Sequence, residues 1–338
     1  MSDCKFSGKL EVLQCVRAFA TFCIALFHIG FGSNYFKVFR FQASVQLFYI
    51  LSAFLFMYST QENKKYSPYS LIMKRIIRII PLYWLLTIAT FCGARYTHLI
   101  DKKWNILELI KSMFFIPFYQ TSMKEGQSIN PIVGPAWFLF LDAYFLIIFV
   151  IAITISHRYR GLVSCIIIIC VFLFSNQFDN NSAFLEAIQS VNWFCFIAGV
   201  LLFYIVKNFW GNSNGLREHY KIVMTVIIIL MALSYLKVVL WFVRIPLMTI
   251  YLSLLILLFQ HQKMNKFLVR CGDISYSFYL IHYYVIIIIG KFFNLNTINI
   301  GQAISVPVIL TMSYFIATLS YEIIEKRFTN FLRKICKV

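Results

Sequence analysis

Two residues of the first apolar stretch have side chains that chemistry needs and lipid does not: Arg17 and His28. They are eleven positions apart, so at ~100° and ~1.5 Å per residue they share one face of a helix and stand ~16 Å apart along it. A neutral imidazole can take a proton from a hydroxyl near pH 7. An arginine near the centre of a bilayer costs ~2.5–3.5 kcal/mol even on lenient scales, so it should face a cavity or a partner. The plainer alternative is that Arg17 snorkels to the headgroups and His28 ends the helix. Two ionisable groups on one face fit better with a path through the membrane.

A second group of residues lies in Lys74-Arg75-Ile76-Ile77-Arg78. Arg75 and Arg78, three apart, share a helix face. With Lys74 beside them they suit a multiply phosphorylated ligand, although on charge alone anchoring to anionic lipid is the simpler account. Asp142 lies one to two turns inside an apolar run that opens Pro131-Ile132-Val133-Gly134-Pro135-Ala136-Trp137. A carboxylate at that depth either orients an imidazole such as His28 or forms a structural ion pair. His282 sits in the middle of another run, where a polar side chain needs a partner. Glu325, at the end of the last run, can pair with the Arg75/Arg78 cluster, with Arg17, or locally with Lys326. Trp137, Tyr276 and Ser277 line segments where an oxyanion donor could stand. His98, His157, His219 and His261 fall in or beside loops and read as solvated.

The elements that must hold these groups are membrane helices. Apolar residues make up 60% of the 338 positions and charged residues 13%, against about half and a quarter in soluble domains. Apolar runs near the ~20 residues that cross a bilayer predict an all-α polytopic protein of about ten spans. They fall near 11–31, 42–60, 79–97, 135–155, 161–175, 187–206, 221–236, 239–259, 273–293 and 303–324. The first run lacks a small-residue cleavage site and is read as a retained helix. Residues 104–119, apolar at helical spacing with Lys and Glu interspersed, predict a helix lying at the interface. Lys and Arg cluster at the ends of the runs and mostly on the N-terminal side, which places both termini in the cytoplasm. The formal charge of +18 is therefore a matter of topology and not of nucleic-acid binding. The nine cysteines form no CxxC pair and suggest neither a disulfide framework nor a metal site. One membrane domain, 1–338, is expected.

Taken in order, these segments resemble the acyltransferase-3 family of membrane O-acyltransferases from Leu13 to Phe328. The resemblance rests on Arg17-x10-His28, Leu51-Ser52-Ala53-Phe54, Lys74-Arg75-x-x-Arg78-x-x-Pro81-x-Tyr83-Trp84, and Gly134-Pro135-x-Trp137 with Asp142 five positions on. It also rests on Ile274-Ser275-Tyr276-Ser277-x-Tyr279-Leu280-x-His282 and Ser320-Tyr321-x-x-Ile324-Glu325-Lys326. Ala53 stands where the family usually has Gly, Asp142 where it has Glu, Arg327 where it often has Pro, and Gln46 where an acidic residue is common. Leu13-Gln14-Cys15-Val16-Arg17-Ala18 replaces the Asp-Gly-Leu-Arg-Gly wording, as in members acting on surface polysaccharides.

The resemblance implies transfer of an acyl group, most often acetyl, from cytoplasmic acyl-CoA to a sugar hydroxyl outside a bacterial inner membrane. Lys74, Arg75 and Arg78 would hold the coenzyme phosphates and the pantetheine arm would pass Arg17. His28 would then act as general base or as acyl carrier, two options the residues leave open. Acetyl-CoA would be a co-substrate, with no permanently bound cofactor and no metal. Partners would be the donor, membrane lipid and a lipid-linked or surface glycan such as O-antigen. Because the sequence shows no esterase-like domain before Val338, transfer directly to the acceptor, or onward through a separate partner, is expected. The competing readings are a polysaccharide-unit transporter or flippase, with Arg17, Asp142 and His282 along its path, and a non-catalytic subunit of a polysaccharide synthase.

Overall fold

In lipid an apolar run must satisfy its own backbone hydrogen bonds, which leaves the helix as its form. A computed structural model of the chain describes residues 10–30, 38–61, 67–96, 104–120, 129, 131–179, 182–211, 214–290 and 300–336. The helices are α1 (Glu11–His28), α2 (Ser44–Ser59), α3 (Pro68–Tyr96), α4 (Ile106–Met113) and α5 (Phe138–Ile155). They continue with α6 (Arg160–Ser175), α7 (Ala183–Ile188), α8 (Trp193–Phe209), α9 (Asn214–Glu218) and α10 (Tyr220–Tyr235). Then come α11 (Trp241–Phe259), α12 (Lys266–Asp273), α13 (Ser275–Gly290) and α14 (Ile300–Ser320), a π-helical segment Tyr321–Phe328, and α15 (Thr329–Cys336). No β-strand occurs among the described residues; only a single bridge joins Phe39 and Leu236.

Every apolar run read from the sequence contains a helix, but not every helix can cross a bilayer alone. Among the described residues, seven helical stretches are long and apolar enough, and α12 with α13, bent by 71°, would make an eighth. The 16-residue helices α6 and α10 reach ~24 Å, short of the ~30 Å hydrocarbon core. Conversely α3, 29 residues long, begins well before the expected span. Lys74, Arg75 and Arg78 are thus part of the same continuous helix as the segment that crosses.

The chain divides into two compact units: residues 1–62, 194–275 and 296–298, and residues 63–193, 276–295 and 299–338. In the first unit α12 packs on α1, and Met264 donates its backbone N–H to the Glu11 carboxylate at 2.9 Å. A methyl added at Gly272 would lie 2.1 Å from the Gln14 carbonyl oxygen. At Gly199 of α8 an added methyl would lie 2.3 Å from the Ile50 carbonyl oxygen and 2.7 Å from the Ala53 side chain. Ala53 and Gly199 thus face each other as small residues across a close helix pair. Gly272→Ala is expected to destabilise by at least ~1–3 kcal/mol, the usual cost of overpacking, because backbone blocks the added methyl. Thermal unfolding in detergent would measure it. Arg244, fully inside this unit, donates to the carbonyls of Ser234 at 2.9 Å and Leu236 at 3.4 Å, and to that of Val239. It satisfies carbonyls that the end of α10 leaves without helical partners.

In the second unit, the segment expected to lie flat at the interface instead descends beside α3. Trp104 joins a buried cluster with Phe91, Ala94, Phe118 and Ile132. Eight to nine residues later, the Tyr83 hydroxyl donates to the Ser112 carbonyl at 2.9 Å and the Trp84 indole to the Met113 carbonyl at 3.0 Å. From Phe91 to Tyr83 is ~12 Å of helix, so α4 runs antiparallel to α3 over that depth. The chain then turns at Phe114–Phe115 and returns to Phe118 in the same cluster. A capping box between Asn105 and Glu108 starts α4. Glu108 and Ser112 are buried while Ile106, Leu107 and Ile110 are exposed, so the polar face turns inward and the apolar face outward. The segment is a hairpin packed along α3, with Phe114, Ile116 and Tyr119 exposed. Its tip is Phe115, at φ 57°, the one positive-φ residue other than glycine among the described residues. An aromatic in this region is an outlier costing about 1–3 kcal/mol. Stacking on Tyr83 at 5.0 Å and a hydrogen bond from the Tyr144 hydroxyl to its carbonyl, 3.2 Å, hold it there.

Candidate active site

α3 and α5 bring two sequence-predicted residues together. The Arg75 Nε donates to Asp142 Oδ2 at 3.2 Å and Nη2 donates to the same oxygen more closely. Asp142 is 2% exposed and the Arg75 side chain 25%. A carboxylate at that burial would cost several kcal/mol if unpaired, and the charge-assisted fork provides the pairing. Of the two readings open to Asp142, an orienter of an imidazole and a member of an ion pair, the structure shows the ion pair with Arg75, within one unit.

The pair forms part of the wall of a slot of about 280 Å³. One wall is the face of α3 from Ile72 to Ile80, the other the face of α5 from Leu139 to Ile147, each with residues recurring at i, i+3, i+4, i+7 and i+8. Phe114 and Phe115, the tip of the hairpin, complete the lining at one end. Apart from Arg75, Asp142 and Tyr144, every lining residue is apolar.

Arg78, one turn on, has a different set of charged and titratable neighbours: Glu325 first, then Arg75, Tyr276 and Tyr321. Tyr276 donates its hydroxyl to the Ile79 carbonyl at 2.7 Å, tying α13 to α3. Ser277 donates its backbone N–H at 3.1 Å and its hydroxyl at 2.5 Å to Glu325 Oε1, and the hydroxyl also reaches Ser320 at 3.3 Å. Glu325 thus caps the first turn of α13, where a carboxylate is favoured by unpaired N–H groups and the helix dipole. Lys326 pairs instead with Glu322 at 3.0 Å. The π-helical turn, often found at functional sites, carries Glu325. Glu325→Gln should cost about 1.5–3 kcal/mol, the value of hydrogen bonds to a charged acceptor, read as a lower unfolding temperature in detergent.

The other candidates divide between the units. His282 is fully buried; its Nδ1 lies 3.0 Å from the Phe278 carbonyl, so that nitrogen carries the proton, and the ring stacks on Phe278 at 6.0 Å. Trp137 ends the 3-10 turn Gly134–Trp137 just before α5, and Tyr279 donates to the neighbouring Pro135 carbonyl. Lys74 is exposed. In the first unit, Arg17 donates to Gln14 Oε1 at 3.3 Å, and His28 is the last residue of α1, its ring edge-on to Phe27 at 5.2 Å. Sequence reasoning missed the Phe114–Phe115 tip. Only the Asn105-x-x-Glu108 capping signature hinted at a helix start there.

The acyltransferase domain of the acyltransferase-3 family matches residues 10–322, nearly the whole chain. The chain belongs to this family. Its membership and its apolar helices indicate a membrane protein. A curated relative is the exopolysaccharide production protein ExoZ of Rhizobium meliloti (strain 1021), 26% identical over 118 residues. That alignment spans 35% of this chain and 36% of ExoZ, about a third of each. No solved structure matches the chain.

Proposed function

We propose that this acyltransferase-3 member moves an acyl group, acetyl first among candidates, from cytoplasmic acyl-CoA to a hydroxyl of an extracytoplasmic glycan. The glycan is of the surface-polysaccharide class, O-antigen or a related polymer, and the enzyme works in a bacterial inner membrane with both termini in the cytoplasm. The observation that supports this reading most is the set of positively charged groups on one turn of α3, each braced by a different carboxylate: Arg75 by Asp142 and Arg78 beside Glu325. A guanidinium held by a carboxylate, as Arg75 is, suits the phosphates of coenzyme A better than a loose anchoring charge would, and Arg78 and exposed Lys74 add further cations. Asp142 in this scheme fixes the fork of Arg75. Arg17 guides the arm of the donor, and His28 takes the proton from the attacking hydroxyl or carries the acyl group. Trp137, Tyr276, Ser277 and His282 shape the surroundings of the transfer. The polysaccharide class of acceptor draws on the printed name of ExoZ.

The reading is tested by NMR of the surface glycan from cells with and without the gene. O-acyl proton signals should disappear without it and return on complementation, and their positions identify group and hydroxyl together. Unchanged signals would sink the assignment.

A further inference from the structure

One end of the first unit gathers positive charge from segments far apart in the chain. Across the Phe39–Leu236 bridge the Arg40 N–H donates to the Tyr235 carbonyl at 2.6 Å, and the Lys237 N–H to the Val38 carbonyl at 2.8 Å. Main-chain bonds thus fix Arg40 and Lys237 on one short ribbon. Both residues are exposed, and neither has an ion-pair partner among the described residues. Arg244, 2% exposed, has Arg40 and Cys195 as its charged and titratable neighbours. Its Nε and Nη2 donate to three carbonyls, and its Nη1 makes no hydrogen bond among the described residues. The acidic residues described in this unit, Glu11, Glu218 and Asp273, lie by the starts of α1 and α10. The ribbon stands at the opposite end, where the Tyr235 ring meets Phe19 at 5.9 Å and α1 runs on to His28.

The surroundings of these cations are apolar and open: Val38, Leu240, Phe242 and Val243 are all exposed. Exposed cations over a buried one, bordered by exposed hydrocarbon, complement a ligand that joins a compact multiple negative charge to an apolar chain. Three cations exceed what a single phosphate needs and suit two linked phosphates. We infer that this end of the first unit binds the diphosphate of a polyprenyl diphosphate-linked glycan, with Arg40, Lys237 and Arg244 answering its charge. The inference rests on the proposed function, in which the acceptor is lipid-linked and this end faces away from the cytoplasm. It adds which part of the acceptor the chain recognises. A carrier anchored here holds its sugars at the end of the unit that carries His28.

The test needs no turnover. The purified full chain in detergent is titrated with a polyprenyl diphosphate, the polyprenol of the same length and phosphatidylglycerol, and binding is read by native mass spectrometry. The diphosphate should bind in one copy, about tenfold or more tighter than either comparator. Arg40→Gln and Lys237→Gln should each weaken it about fivefold, the effect of one cation near a charged headgroup, and the double variant about tenfold or more. Lys237→Arg, which keeps the charge, should bind as the parent does. Unfolding temperatures should not move, because both side chains are exposed. Undiminished affinity in the double variant would overturn the site. Equal binding of the polyprenol would overturn recognition of charge, and equal binding of phosphatidylglycerol would overturn the carrier in favour of a bilayer lipid. If the diphosphate binds as expected while the glycan O-acyl signals do not depend on the gene, the proposed transfer fails and this site stands. If the signals depend on the gene and the double variant binds as the parent does, this site alone fails.

Discussion

His28→Ala is expected to end O-acylation of the glycan while leaving expression and unfolding temperature near those of the parent. General-base help contributes about 10²–10⁴ in rate, so loss of the imidazole should lower transfer at least about a hundredfold by that route, and completely if the histidine carries the acyl group. The two routes separate on labelled acyl-CoA without acceptor. Label that stays on the protein and is released by hydroxylamine marks an acyl-histidine; its absence, with transfer intact once acceptor is added, marks a base. His28 is the last residue of α1 and is not fully buried, so its truncation should disturb the fold less than loss of a core side chain would. Normal O-acylation in the variant would end the catalytic assignment and favour the transporter or subunit reading.

Asp142→Asn should have the second-largest effect, on stability and donor binding together. Breaking one partner of a buried ion pair costs about 3–5 kcal/mol, and the partial exposure of Arg75 places this pair towards the lower end. Unfolding in detergent should show the loss, and the double variant Arg75→Gln/Asp142→Asn should recover part of it because no buried charge is left alone. If Asp142 acts through the Arg75 fork, KM for acyl-CoA should rise more than kcat falls, and Asp142→Glu should restore much of the difference. A fall confined to kcat with donor KM unchanged would instead tie the carboxylate to His28.

The helices and most of the residues worth testing were legible in the sequence for physical reasons. Apolar runs admit little besides helix in lipid, and eleven residues of helix put Arg17 and His28 on one face wherever α1 packs. Charge at the run ends and the ordered motifs carried the class of chemistry. What could not be read depended on which face of a helix turns inward. Residues 104–119 have the composition of an interfacial helix; only the burial of Glu108 and Ser112, with Tyr83 and Trp84 bonded to their neighbours, shows that the segment descends beside α3. Span count suffered similarly, since α6 and α10 are as apolar as their neighbours but a few residues short.

Pairing was the other limit. Nothing in the spacing of Arg75 and Asp142, 67 positions apart, says that they meet, and Asp142 had equal claim to His28 or to a structural ion pair. Likewise Glu325 had several cations within reach on paper, and the fold placed it on Ser277 with Arg78 alongside while Lys326 took Glu322. The sequence by itself determined that the chain is helical, membrane-embedded and furnished with a histidine, a cluster of cations and a few carboxylates, because these follow from residue type and local period. The pairing of Asp142 with Arg75 and the place of the slot follow from how the helices pack. Those depend on helix approach, set by the inward faces of α3 and α5, and no local pattern encodes a distance between segments so far apart in the chain.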